Sequence, residues 1–431
     1  MKRNIKSITL GLLLAALTFS FVSCGYEPVF YGIMHDVLPE EATVNGNITS
    51  IARCTIGSEE YLMLSGGDTL KYKKLDSAVH GEWTSAKIKL PFKPHHNNYF
   101  PTSTEGEGHI GQQILRVLAD SDNIYLLTAS YKQDNEYGVV LPDTFYLWTT
   151  PLASILGEAE WQNIAELYKD KELFGSSVNS SLSQVETDFS FFYTNSVQQQ
   201  NRKAFLTVTK SGSTETSYYL LNGAAEPQEC TATVTGANFI KTKEESAAAH
   251  SAFYLGSTLY FSDSLIAATN ETASAAATIA CLAGVSYSKD SNEYNSNSDL
   301  FIYDGAAIAK VIEDGVGSPI ASLAFTANSL LIGMGSYNSA YTTNGGIARI
   351  LLDENGKPLA ELAEFDNNAK YQFTSSYIVM TLLCADPTKN EADACLYATI
   401  SYRGSGNSSS ASFDNVGLWS YYPTRGNWNR E

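Results

Sequence analysis

Charge is scarce in this chain, and so are the signatures of familiar chemistry. Only 17% of the 431 residues are charged, well below the share in coiled coils and long solvated helices. Basic residues are the scarcer sign: 28 Lys and Arg stand against 46 Asp and Glu, a net charge of −18. A field of that sign repels phosphate backbones, which excludes nucleic acid as a partner and leaves a solvated acidic surface. No Gly-x-Ser-x-Gly elbow is present, because Gly333-Met334-Gly335-Ser336 and Gly404-Ser405-Gly406 carry the serine in the wrong order. A phosphate-cradling Gly-x-x-x-x-Gly-Lys and a His-Glu-x-x-His are also missing. No Cys-x-x-Cys pair exists, so no zinc cage is suggested, and nothing calls for a cofactor. After the first 21 residues no apolar run reaches 18, the length a membrane helix needs.

Partial motifs fail on inspection. Asp290-Ser291-Asn292-Glu293-Tyr294 starts like a calcium loop, but Asn295 stands where the turn glycine belongs and Phe301 where the bidentate glutamate belongs. His95-His96 and His109 lack a partner at ligand spacing, so no metal site is expected.

What is abundant points to sheets. Hydrophobic residues make up 44%, with 26 Tyr and 31 Gly. Polarity carried by hydroxyls and amides, with many aromatics, suits strand faces and turns rather than helices.

The first residues read as an address. Lys2, Arg3 and Lys6 precede the apolar stretch 8–21, which is too short to span a bilayer. Phe21-Val22-Ser23-Cys24 follows. This resembles a bacterial lipobox, in the looser form found in spirochaetes, since Phe21 stands where Leu is common. The resemblance implies cleavage before Cys24 and acylation of its thiol. Each buried methylene contributes about 0.8 kcal/mol, so two or more chains anchor stably. The expected organisation is a signal peptide over 1–23, a lipidated tether over 24–46 and a body over 47–431. The expected location is the cell envelope, extracytoplasmic, at the outer membrane or cell surface rather than the inner membrane. The membrane is then a partner through the lipid anchor.

Beyond Cys24 lie Cys54, Cys230, Cys281, Cys384 and Cys395. Cys384 ends one apolar run and Cys395 begins the next. If those runs form a hairpin, the sulfurs face each other, and a Cys384–Cys395 disulfide is expected, worth about 3 kcal/mol on the loop-entropy account.

The body repeats. Ile124–Ala129, Thr144–Thr149 and Glu160–Ile164 read as three strands of an antiparallel meander. An apolar–aromatic strand recurs as Leu70–Lys73, Phe145–Trp148, Tyr218–Leu221, Leu300–Tyr303, Ile347–Ile350 and Leu418–Tyr421. Two strand candidates precede each copy, and Trp83, Trp161 and Trp428 follow three of them. Four short strands per unit in about six units point to an all-β β-propeller, six blades with seven also accommodated. Radial packing hides both faces of every sheet. The competing architecture is a pair of β-sandwiches. The pattern resembles bacterial lipoprotein propellers. In that setting Trp148, Trp161 and Trp428 belong between blades rather than on a sugar-binding surface.

Polar segments at Lys93–His109, Lys132–Gly138, Asn270–Ala277, Asp290–Asp299 and Gly404–Phe413 are the expected rim loops. The expected function is non-enzymatic: an envelope lipoprotein that binds a protein or glycan through loop rims or a central funnel. One alternative is a scaffold in outer-membrane protein assembly, resembling the lipoprotein propeller of that machinery. The other is a sialidase-like glycan hydrolase, because Arg53 in strand 48–56 resembles the first-blade arginine strand of sialidases. The Arg-Ile-Pro signature and intact Asp-box turns of that family are absent. Mass spectrometry of the mature chain tests the address: it is expected to begin at an acylated Cys24, and Cys24→Ser to leave the protein in the soluble fraction.

Overall fold

The computed structural model describes residues 44, 48–66, 69–75, 82–86, 110–134, 139–157, 159–164, 189–194, 196–209, 216–230, 237–240, 250–263, 265–271, 279–288, 295–335, 345–364, 377–402 and 416–431. Thr43–Asn429 with Glu431 forms one compact unit, and the other unit is Met1–Ala42 with Arg430. Cys24, the signal peptide and the tether lie outside the described residues.

Six four-stranded antiparallel sheets follow one another along the chain. Blade 1 holds β1 (Ile48–Ile56), β2 (Glu59–Gly66), β3 (Thr69–Lys74) and β4 (Thr84–Ser85). Blade 2 holds β5 (Ile110–Ala119), β6 (Asn123–Asp134), β7 (Val139–Pro151) and β8 (Gln162–Asn163). Blade 3 holds β9 (Phe189–Tyr193), β10 (Ala204–Thr209), β11 (Thr216–Asn222) and β12 (Ala225–Glu229). A three-stranded sheet comes next, made of β13 (Ala237–Ile240), β14 (His250–Leu255) and β15 (Thr258–Asp263). Blade 4 holds β16 (Ile266–Thr269), β17 (Ala280–Ser288), β18 (Asn295–Tyr303) and β19 (Ile308–Lys310). Blade 5 holds β20 (Ile320–Phe325), β21 (Ser329–Met334), β22 (Gly346–Leu352) and β23 (Pro358–Glu364). Blade 6 holds β24 (Tyr377–Cys384), β25 (Leu396–Tyr402), β26 (Gly417–Tyr422) and β27 (Asn427–Arg430). Helical turns among the described residues are short 3-10 pieces at Leu152–Ser154, Gln199–Asn201 and Glu391–Asp393. The architecture is a β-propeller.

Every copy of the recurring sequence element falls on the third strand of a four-stranded blade, from Leu70–Lys73 in β3 to Leu418–Tyr421 in β26. Six copies therefore marked six full blades. The three-stranded sheet carries no copy, and the sequence reading had merged its 252–261 stretch into a single strand of the following unit. Gly256 at φ +61° instead turns the chain back, and Phe253 pairs with Tyr260. The third position of this sheet is taken by β13, which runs parallel to β15.

Apolar clusters alternate with the sheets around the ring, and each draws on two neighbours. In β2, Tyr61 and Met63 face the blade 2 cluster while Leu62 and Leu64 face the blade 6 cluster. In β25, Leu396, Ala398 and Ile400 face blade 5 while Tyr397 faces blade 1. Burial of both faces explains why second strands read as continuous apolar runs, whereas a half-exposed strand would alternate. Trp148 joins the cluster between blades 1 and 2, Trp161 packs against it, and Trp428 lies between blades 5 and 6. Close approach is enforced at Gly333, where a Cβ would come within 2.2 Å of Ser322 Oγ and 2.8 Å of the Val379 carbonyl.

Blades 1 and 6 meet without exchanging a strand, since each takes all its strands from one end of the body. Apolar side chains and a buried ion pair close the ring instead. Lys73 of β3 and Glu431 are 1% and 0% exposed, with Nζ 3.4 Å from Oε2. Trp83 Nε1 donates to the same carboxylate at 2.8 Å and Ser420 Oγ at 2.5 Å, and the Tyr422 hydroxyl also bonds it. Lys73 Nζ stands 4.9 Å from the Tyr422 ring centre. Burial alone would raise the Glu431 pKa, but the Lys73 charge and these donors outweigh it and hold the carboxyl below its usual range.

A carboxylate so lowered stabilises the fold above the ordinary range, and the contribution is lost as pH falls through the lowered value. Glu431→Ala is expected to cost about 3–5 kcal/mol, because it strands a buried ammonium. Lys73→Met with Glu431→Leu removes both charges and is expected to cost less than either single change. Urea unfolding at neutral and acid pH measures both, and equal or larger loss in the double variant would reject the ion-pair account.

Candidate functional site

The innermost strand of each sheet is the first in its blade, or β14 in the three-stranded sheet, and these strands stand side by side around the axis. A pocket of about 150 Å³ lies where their C-terminal ends converge. Its walls carry Tyr193 and Tyr254, which keep accessible surface, together with Arg53, Ser196, Ser251 and Glu271. Of the expected rim loops, residues 93–109, 135–138, 290–294 and 404–413 lie outside the described residues. His95, His96 and His109 fall there too. The segment that begins at Asn270 is the exception. It leaves the pocket rim, and it supplies Glu271.

A chain of charges crosses this rim. Arg53, 3% exposed, donates Nη1 to Glu60 Oε2 at 2.9 Å and Nη2 to the carbonyls of Cys384 and Ala385, each at 2.7 Å. Glu60 also accepts Arg202 Nη2 on Oε1 at 2.5 Å and Thr55 Oγ1 at 3.0 Å. Burial pushes the Glu60 pKa up, but the hydrogen bond from Arg202 and the two guanidinium charges win, and the carboxyl is held below its usual range. Desolvation lowers the Arg53 pKa, with Glu60 opposing. The Tyr193 hydroxyl donates to the Ile51 carbonyl, and burial raises its pKa, so it remains a donor. Arg116 of β5 is solvent-exposed.

Glu271 is the carboxylate nearest the open volume. Its Oε2 accepts Ser196 Oγ at 2.9 Å and the Val197 amide at 2.6 Å. Oε1 accepts no hydrogen bond among the described residues, so it can receive a hydroxyl from a ligand.

The sequence expectations fare unevenly here. Arg53 is a wall residue, but its guanidinium is tied to Glu60 and to blade 6, so it is not presented to a ligand carboxylate as the sialidase resemblance required. Cys384 and Cys395 do flank the loop of the β24–β25 hairpin, but both are free thiols. Cys384 pairs with Leu396 and faces the blade 5 cluster, whereas Cys395 packs toward blade 1. The sulfurs lie on opposite faces of the sheet, out of bonding geometry. Burial pushes the Cys384 thiol up to about 12, which keeps it protonated and inert. Glu60, Ser196, Arg202 and Glu271 were not singled out from sequence, because ordinary polar residues in short connections carry no spacing signal.

No family model and no curated protein matches the chain. Solved structures do. An α-L-arabinofuranosidase of Fusarium graminearum, determined with an iminosugar inhibitor, is similar over 88% of this chain and 94% of its own at 9% identity and a TM-score of 0.41. An exo-inulinase of Aspergillus awamori is similar over 90% and 86% at 6% identity and a TM-score of 0.34. A study of mannoside phosphorylases and β-1,2-mannosidic glycoside hydrolases provides a third, over 88% and 85% at 10% identity and a TM-score of 0.31. The expectation that this protein is not an enzyme is corrected: the structures matched along most of the chain include glycoside hydrolases.

Thiol titration tests the corrected cysteine assignment. The alkylatable count in denaturant is expected to be the same with and without reductant. A rise of two on reduction would restore the bridge.

Proposed function

We propose that the protein acts on carbohydrate and takes one sugar ring into the axial pocket. The observation that carries this reading is the pairing of Glu271, whose Oε1 accepts no hydrogen bond among the described residues, with the partly buried Tyr193 and Tyr254 around about 150 Å³. An apolar cavity of about that volume takes a single six-membered ring such as benzene. Sugars present C–H faces that pack on aromatic rings and hydroxyls that seek carboxylate acceptors, so polar groups set among aromatics suit them. The Tyr193 phenol, kept protonated, and the Ser251 hydroxyl add polar partners. Glu60 is a second ionised carboxylate at the same rim, held between Arg53 and Arg202. Glycoside cleavage uses a pair of carboxyl groups, and Glu271 is the member we place against the ring.

We propose further that acyl chains on Cys24 hold this body at the cell envelope outside the cytoplasm, where its glycan would be an envelope or extracellular one. The lipobox-like N-terminus supports that address.

A glycan array read for binding, combined with a fluorogenic glycoside panel read for hydrolysis, tests the proposal on the lipid-free body. At least one glycan is expected to score. Glu271→Gln is expected to weaken it by tenfold or more, since a hydrogen bond to a charged group contributes about 1.5–3 kcal/mol. Silence on both panels by the folded wild-type protein would remove the carbohydrate reading.

A further inference from the structure

We infer that Arg202 is a positioning residue for the pocket carboxylate Glu271, acting through the backbone of Ser196 and Val197. The inference rests on the carbohydrate reading for its ligand, but its geometry stands apart from any ligand. Arg202 is 1% exposed and reaches no pocket volume itself. Its guanidinium is divided between two tasks. Nη1 and Nη2 fasten it to blade 1, on Thr55 Oγ1 at 2.6 Å and Glu60 Oε1 at 2.5 Å. Nε and Nη2 hold the carbonyls of Ser196 at 2.8 Å and Val197 at 3.0 Å. Those same two residues turn their donors toward blade 4, where the Ser196 hydroxyl and the Val197 amide meet on Glu271 Oε2.

The direction of each proton is fixed. The Gln198 amide donates to Ser196 Oγ at 3.1 Å, so that hydroxyl spends its own proton on Glu271. Both donors occupy one carboxylate oxygen, which leaves Oε1 aimed away from them. A guanidinium has five donors in a rigid plane, and this site uses its fork on four acceptors at once. Lysine cannot reproduce that, because its ammonium is a point charge on a flexible stem. The chain of contacts runs from the carbonyls of blade 6 through Arg53, Glu60 and Arg202 to Ser196, Val197 and Glu271. The orientation of the pocket carboxylate is thus referred to the closed ring rather than only to the connection that carries it.

Carboxyl labelling of the folded full-length body with a carbodiimide and glycine ethyl ester, read by peptide mass spectrometry, tests this without any ligand. Arg202→Leu and Arg202→Lys are each expected to raise Glu271 labelling several-fold, with exposed Glu354 unchanged as the internal standard. Failure of lysine to rescue separates a positioning role from a simple need for positive charge. If Arg202→Leu does not fold, Ser196→Ala carries the test: it removes one donor to Glu271, leaves Arg202 in place, and is expected to raise labelling to a smaller extent. Unchanged Glu271 labelling in the folded variants would overturn the inference. Raised labelling with no hit for the wild type on the glycan array would uphold the positioning role while the carbohydrate reading falls.

Discussion

Closure of the ring is the constraint on which the molecule depends. A single blade has two apolar faces and two edges, and it cannot bury either face alone. Each cluster is completed only by the next sheet, so the structure is sound only if the last sheet meets the first. Here that junction has no shared strand. Val44, Ile51, Leu62 and Leu64 of the first region pack on Leu383, Tyr397 and Leu418 of the last. Lys73 with Glu431, and Arg53 with the blade 6 carbonyls, add directional contacts to that apolar seam.

The buried charges do more than neutralise one another. A buried ion pair is often no better than a well-packed apolar pair in stability. What it adds here is alignment, because Lys73 and Arg53 donate across the seam to blade 6 acceptors in a narrow set of positions. Arg53 then links the seam to the pocket. Through Arg202 the blade 1 contacts reach the two donors that hold Glu271, which lies just after β16.

Much of the fold was legible in the residues. The apolar–aromatic element at Tyr218–Leu221 and its five counterparts identified third strands because each copy places at least one core side chain or aromatic ring between blades, even where its other positions stay half-exposed. Continuous runs such as Ile124–Ala129 identified second strands because those are buried on both faces. The three-stranded sheet was missed because its hairpin turns at Gly256 with no stronger turn signal, and because β16 is only four residues, Ile266–Thr269, with two alanines at its centre. The pocket was not legible. Its polar residues come from blade 1, blade 3, the three-stranded sheet and blade 4, and only the ring brings them together. Arg53 was noticed for a likeness in sequence, yet its neighbours show a clamp. Cys384 and Cys395 were rightly placed on one hairpin, but a shift of one residue in register sends adjacent side chains to opposite faces.

The order of the blades along the chain has a consequence for biogenesis. Because blade 1 comes from the front of the body and blade 6 from the back, the face formed by Ile51, Leu62 and Leu64 has no cover until the whole polypeptide has emerged. The folding chain therefore carries that greasy surface and an open flank while its mate, some three hundred residues behind, is still unmade, and the vulnerability ends in one step, when the final sheet docks.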